Sequence, residues 1–132
     1  MSVTHDDVQR WLDRYVAAWH TYDPAAIGEL FGEDAEYRYH PWDDQPIRGR
    51  DAILADWLES PDAAGTWDAH YEPYAVEGDR ASAIGTSRYT SPDGSLRALY
   101  YNHWTLCFDG DGRCVDFVES YMELPERLHP GR

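Results

Sequence analysis

The stretch "EYRYHPWDD", residues 36–44, closes an alternating segment with Tyr39, His40, Pro41 and Trp42 before running into two aspartates. A turn alone needs only Gly, Asn, Asp or Pro, so the rings and the imidazole exceed what turning requires. An imidazole at a strand end can take a proton from carbon or water near neutrality, with its aromatic neighbours as walls for a ligand. The competing reading is a half-buried strand whose rings pack on a pleated surface. In a regular strand Tyr39 and His40 point to opposite faces, and Pro41 favours a kink, so one of the two is expected to reach a ligand.

A second candidate centre lies in the last hairpin. The loop "DGDG" joins Phe108 to Arg113, and an even turn centred between Gly110 and Asp111 sets Leu106 opposite Val115, Trp104 opposite Phe117, Asn102 opposite Glu119 and Tyr100 opposite Tyr121. All eight share one face because strand side chains alternate. That face is aromatic and apolar apart from Asn102 and Glu119. A carboxylate among Trp, Phe and Tyr is either hydrogen-bonded or poised to carry a proton, since desolvation raises its pKa. The other face carries Tyr101, His103, Thr105, Cys107, Cys114, Asp116, Val118 and Ser120, a mixture suited to solvent or a subunit interface. Cys107 faces Cys114 in this register, where a cross-strand disulfide could form, though reduced thiols are expected in a cytoplasmic protein.

Other titratable residues have plainer roles. Asp23 reads as a helix N-cap with Tyr22 packing beside it. His70 alternates in step with Asp68 and Glu72 on an exposed strand face, and His103 shares the mixed face with Asp116. Tyr15 lies on a helical apolar stripe, where it is either core or a hydroxyl donor. "DGDGR" has two carboxylates of a calcium loop but Arg113 at the next ligand position and no closing glutamate, and "HPWDD" is equally thin, so no metal is expected.

The elements that must position these groups follow from periodicity. Thr4 and Asp7 mark a helix start, with Val8, Trp11, Leu12, Tyr15 and Trp19 at helical spacing. Asp23 and Pro24 start a short second helix with Ile27, Leu30 and Phe31 inward and Gly32 as a stop. "AEYRY" alternates as a strand, and "GRDAILADWLESP" is a third helix with Ile53, Trp57 and Leu58 on one side. Residues 66–76, 80–90, 96–108 and 113–124 read as strands separated by "EGD", "SPDG" and "DGDG" turns. The order predicts a single α+β domain over residues 1–132: a curved antiparallel sheet with three helices on its concave face. The tail 125–132 is expected to fray.

Composition sets the limits. A chain of 132 residues can bury about two-thirds of its unfolded surface without staples. Six Trp and ten Tyr demand an aromatic core or pocket. The net charge of -14 opposes nucleic acid and anionic membrane surfaces. Apolar runs are too short for a membrane span and the first residues show no signal-like apolar region, so a cytoplasmic location is expected.

The pattern "RYVAAWHTYDPAAIGELFGEDAEYRYHPWDDQPIRGRDAI", followed by four strands and "DGDGRCVDFVESYM", resembles the SnoaL-like polyketide cyclases of the nuclear transport factor 2-like superfamily. The resemblance implies a cone-shaped domain whose helices and sheet enclose a pocket. Similarity to ketosteroid isomerase implies an oxyanion-stabilising role for Tyr15, a catalytic-base position for His40, a pocket position for Trp57, and Trp104 where that family has an acidic donor. Similarity to scytalone dehydratase implies roles for Tyr22 and Asp23, for Tyr39 in positioning water, for His70, and for Asn102 in binding substrate. The expected site therefore has His40, Glu119, Asn102 and Tyr15 as catalytic candidates, with Trp19, Tyr39, Trp42, Trp57, Tyr100, Trp104, Phe117 and Tyr121 as ligand-binding walls. The expected ligand is a small apolar or aromatic molecule, handled by isomerase, cyclase or dehydratase chemistry without a cofactor. The alternative is a non-enzymatic ligand-binding or dimerisation module. A homodimer through the outer sheet face is expected from the resemblance.

Overall fold

A computed structural model describes residues 2–131. Helix α1 (His5–Thr21) begins at a reciprocal capping box. Thr4 Oγ1 accepts from the Asp7 amide at 3.0 Å, and the Asp7 carboxylate accepts from the Thr4 amide at 2.9 Å. The helix stops at Tyr22, whose φ of 51° is left-handed, a conformation that costs a non-glycine residue roughly 1 kcal/mol. Helix α2 (Pro24–Leu30) is capped by Asp23, which accepts from the Ala25 amide at 3.2 Å. It passes straight into strand β1 (Phe31–Arg38). Gly32 is therefore a strand residue rather than a helix stop, and a Cβ there would meet Val115 at 3.0 Å.

A two-residue strand β2 (Ile47–Arg48) pairs antiparallel with β1, and helix α3 (Arg50–Glu59) follows. The meander comprises β3 (Trp67–Glu77), β4 (Arg80–Thr90), β5 (Leu96–Phe108) and β6 (Cys114–Glu123). The strand order is β2-β1-β6-β5-β4-β3. The result is the expected α+β architecture of three helices and a curved sheet, with one refinement: β1 runs parallel to β6, which makes the sheet mixed. The tail, expected to fray, carries a 3-10 turn at Glu126–Leu128 and buries His129.

Trp11, Leu12, Ile27, Leu30, Phe31, Ile53, Trp104, Leu106 and Phe117 are almost wholly buried between the helices and one face of the sheet, each contributing roughly 1.5–3 kcal/mol. The Trp11 indole N–H is satisfied by the Leu30 carbonyl at 2.9 Å. On α3 only Ile53 is fully inside, and Leu58, expected on the inner side, is exposed.

The last hairpin departs from its expected register. A five-residue loop, 109–113, is held by Asp109, whose carboxylate accepts from the amides of Asp111 and Arg113. Phe108 pairs with Cys114, and a bulge at Val115 then brings Cys107 opposite Asp116, Leu106 opposite Phe117, Trp104 opposite Glu119, Asn102 opposite Tyr121 and Tyr100 opposite Glu123. The odd loop and the extra residue together slip the pairing by two. Parity is restored, so the even-numbered face of β5 still joins Phe117, Glu119 and Tyr121. Cys114, however, turns inward and is fully buried, while Cys107 is partly exposed, and both are free thiols.

Candidate functional site

The inner face of the sheet, α1, α3 and the segment after α3 enclose a cavity of about 570 Å³, well within the range of small-molecule sites. Eight of the ten tyrosines line it, together with Trp19, Trp57 and Trp104.

Glu119 stands at its base. The Tyr37 hydroxyl donates to Glu119 Oε1 over a long 3.4 Å, and the Tyr15 and Tyr37 hydroxyls are 3.0 Å apart. Because Tyr37 spends its proton on Glu119, its oxygen is left to accept from Tyr15. Phe117 stacks on both tyrosine rings, at 4.4 Å from Tyr37 and 5.6 Å from Tyr15, and so fixes their separation. Burial pushes the Glu119 carboxyl up to about 8, with the Asp56 charge adding to the rise and the Tyr37 hydrogen bond opposing it. The side chain keeps some surface open to the cavity. Near pH 7 it is therefore mainly a neutral acid whose second oxygen has no hydrogen-bond partner among the described residues. Burial, reinforced by the Glu119 charge, also holds the Tyr15 and Tyr37 hydroxyls well above the ordinary tyrosine range.

The side wall is built by β4 and β5. Asn102 donates to Ser87 Oγ at 3.2 Å and to the Tyr100 carbonyl at 3.4 Å, leaving its own Oδ1 to the cavity. The expected Asn102–Glu119 pairing is replaced by Trp104 opposite Glu119, for the register reason given above. Trp104 packs on Tyr71 at 4.1 Å and buries its indole N–H without a hydrogen-bond partner among the described residues. Tyr71 can lie there because it crosses Gly85, where a Cβ would come within 2.1 Å of the His70 carbonyl and 2.5 Å of the Tyr71 ring.

At the mouth, Asp62 joins α1 to the segment after α3. It accepts from the Trp19 indole at 3.0 Å and the Tyr22 hydroxyl at 3.5 Å, and its amide donates to that hydroxyl at 2.8 Å. Tyr39 donates to the Asp56 carboxylate. The Arg97 guanidinium lies 5.1 Å over the Tyr89 ring.

Of the expected site residues, Tyr15, Trp19, Tyr39, Trp57, Tyr100, Asn102, Trp104, Glu119 and Tyr121 line this cavity. His40, Trp42 and Phe117 do not. Strand β1 ends at Arg38, and the bend that follows carries His40 to the rim behind Tyr121. Trp42 is 77% exposed, and Phe117 lies wholly in the core beneath the two tyrosines. Arg88 and His70 are exposed, away from the cavity. Sequence reasoning left out Tyr37, Tyr71, Tyr89, Ser87, Asp56, Asp62 and Arg97 as cavity residues. Alternation would have found the first four, since each lies in step with an inward neighbour. No group of three His, Cys, Asp or Glu among the described residues is arranged to hold a metal ion, and no described helix is long and apolar enough to cross a membrane.

The SnoaL-like domain family model matches residues 12–117. The chain belongs to the SnoaL-like domain family. Its matched span runs from the middle of α1 to Phe117, so it takes in most of the cavity but stops before Glu119 and Tyr121. Among solved structures the SnoaL-like chain is similar to an NTF2-like protein of unknown function from Mesorhizobium loti, with 23% identity, a TM-score of 0.64 and coverage of 92% of this chain and 96% of that one. It is also similar to a candidate ketosteroid isomerase from Kribbella flavida, with 20% identity, a TM-score of 0.65 and coverage of 97% and 86% respectively. These likenesses establish the NTF2-like fold. No curated protein matches the sequence.

Proposed function

We propose that the cavity binds a small, largely apolar molecule bearing a carbonyl or phenolic oxygen and moves a proton on it without a cofactor, in an isomerase-like reaction. The Glu119 carboxyl carries this reading: it is buried among rings, neutral near pH 7, and has one oxygen unclaimed by any described residue. In the forward step a C–H of the ligand gives its proton to a base on the cavity wall, the electron pair of that bond moves toward the ligand oxygen, and Glu119 gives its own proton to that oxygen. Tyr37 and Tyr15 then donate along the chain to the new carboxylate and spread its charge. Asn102 Oδ1 orients a ligand N–H or O–H, and Trp19, Tyr39, Trp57, Tyr100 and Trp104 supply apolar contact.

The test uses 2-cyclohexenone in deuterated buffer, with proton exchange followed by NMR and binding followed by tryptophan quenching. The chain is expected to speed exchange over buffer, and Glu119→Gln to slow it by roughly a hundredfold with little change in affinity. Binding without exchange would favour the non-enzymatic ligand-binding module. Failure of cyclohexenone, phenol and naphthol all to bind would refute the cavity as a ligand site.

A further inference from the structure

His40, Asp43 and Tyr121 meet at the rim in an arrangement that the Glu119 chemistry does not use. His40 Nδ1 lies 3.4 Å from Asp43 Oδ1, and His40 Nε2 lies 2.9 Å from the Tyr121 hydroxyl. The turn that holds them is closed in both directions: the His40 amide donates to Asp43 Oδ2 at 3.1 Å, and the Asp43 amide donates to the His40 carbonyl at 3.1 Å. Trp42 stacks on the imidazole at 4.6 Å, and Tyr100 meets the Tyr121 ring edge-on at 5.7 Å.

The Asp43 carboxylate can only accept, so it favours the tautomer with the hydrogen on the facing Nδ1, in which Nε2 of a neutral imidazole is bare. In that tautomer the proton between Nε2 and Tyr121 is the phenolic one. Tyr121 lines the cavity and His40 does not, so the basicity of the imidazole reaches the cavity only through the Tyr121 oxygen.

We propose that Asp43, His40 and Tyr121 form a proton relay in which Tyr121 is the base of the cavity and His40 and Asp43 are positioning residues behind it. The proposal rests on the reading of the cavity as a site of proton transfer and adds the missing half of that reaction. As a ligand C–H gives its proton to the Tyr121 oxygen, the phenolic proton passes to His40 Nε2, and the imidazolium so formed faces Asp43. The electron pair left on the ligand is discharged by the proton from Glu119, so the ligand loses one proton and gains another. Glu119 and Tyr121 are two residues apart on one face of β6, with Cα atoms roughly 7 Å apart. That spacing fits a carbon acid whose acidic C–H and receiving oxygen belong to one small ring system, such as a cyclic enone.

The probe is 5-nitrobenzisoxazole, which loses its C3 proton to a base as its N–O bond breaks, the oxygen leaving as a coloured phenolate. The intact chain is expected to turn it over, and Tyr121→Phe and His40→Gln each to lower kcat by roughly a hundredfold with affinity within about twofold. The double variant is expected to lose no more than either single one, because the two act as a unit. Nitrogen-15 NMR of the histidines gives a readout that a merely structural role would not move: His40 is expected as the Nδ1–H tautomer, converting to a mixture in Asp43→Asn. Undiminished kcat in Tyr121→Phe, or binding of the probe with no turnover by the intact chain, would overturn the relay. If the probe does not bind at all, the cavity reading fails, and the tautomer decides the relay alone: the Nε2–H form overturns it.

Discussion

Replacing Glu119 by Gln removes a titrating group while keeping an oxygen to accept from Tyr37, which isolates the energetic effect of burying that carboxyl. A carboxyl whose pKa is higher in the folded than in the unfolded chain keeps its proton in the native state between the two values. Folding then takes up a proton, and stability falls as pH rises through that window. Here the window runs from the ordinary 4.5 to about 8. A wholly dry site would make this interval worth roughly 5 kcal/mol at about 1.4 kcal/mol per pH unit, and screening by water at the open side of Glu119 brings the expectation to roughly 2–4 kcal/mol. Urea unfolding of both proteins at pH values from about 5 to about 9 measures it, because other titrations largely cancel in the difference. The two should be similar in stability at the acid end, within about 1 kcal/mol, and the Gln variant should become progressively the more stable as pH rises. A difference that stays flat across that range would mean that Glu119 ionises as if solvated, and the acid role assigned to it would fall.

Three further outcomes are expected. Gly85→Ala should destabilise by about 3 kcal/mol, at the upper end of overpacking effects, because the new methyl group meets the backbone of β3, and thermal unfolding would read this as a lowered midpoint. Asp62→Ala should release the Trp19 indole and the Tyr22 hydroxyl together, and hydrogen exchange at residues 60–66 should quicken while that in β5 does not. Burial holds the Cys114 thiol far above the ordinary range and raises Cys107 to a lesser degree, so a thiol reagent should label Cys107 in the native protein and Cys114 only on unfolding. Oxidation should not link the two.

How far the site was legible depended on whether its parts came from periodicity or from chain closure. The capping box at Thr4 and Asp7 and the Asp23–Pro24 start are local patterns, and both stand where the residues placed them. The aromatic face of β5 and β6 was legible although every cross-strand partner was off by two residues, because faces depend only on parity and the Val115 bulge compensates for the odd loop. Cys114 shows the limit of that compensation: it lies between loop and bulge, where parity is reversed. Asp62 was not legible, because its meeting with Trp19 and Tyr22 spans about forty residues and depends on where α3 ends. His40 was read as a pocket residue since Pro41 signals a kink but nothing local reveals that β1 already stops at Arg38 or which way the chain then bends. Its partnership with Tyr121, 81 residues away, exists only in the folded sheet.

The central position of the last strand governs how this protein can be made. Because β6 lies between β1 and β5, the two halves of the sheet have no shared edge until Cys114–Glu123 has been synthesised. A nascent chain that has reached Phe108 exposes the open side of β5 and the side of β1 away from β2 as unpaired strand edges, which are templates for association with other chains. The parallel pairing of Phe31–Arg38 with a strand some 80 residues later also places a high loop-closure cost on the final step. Folding is therefore expected to wait for β6 and to be all-or-none, and no fragment ending before Cys114 should be soluble on its own.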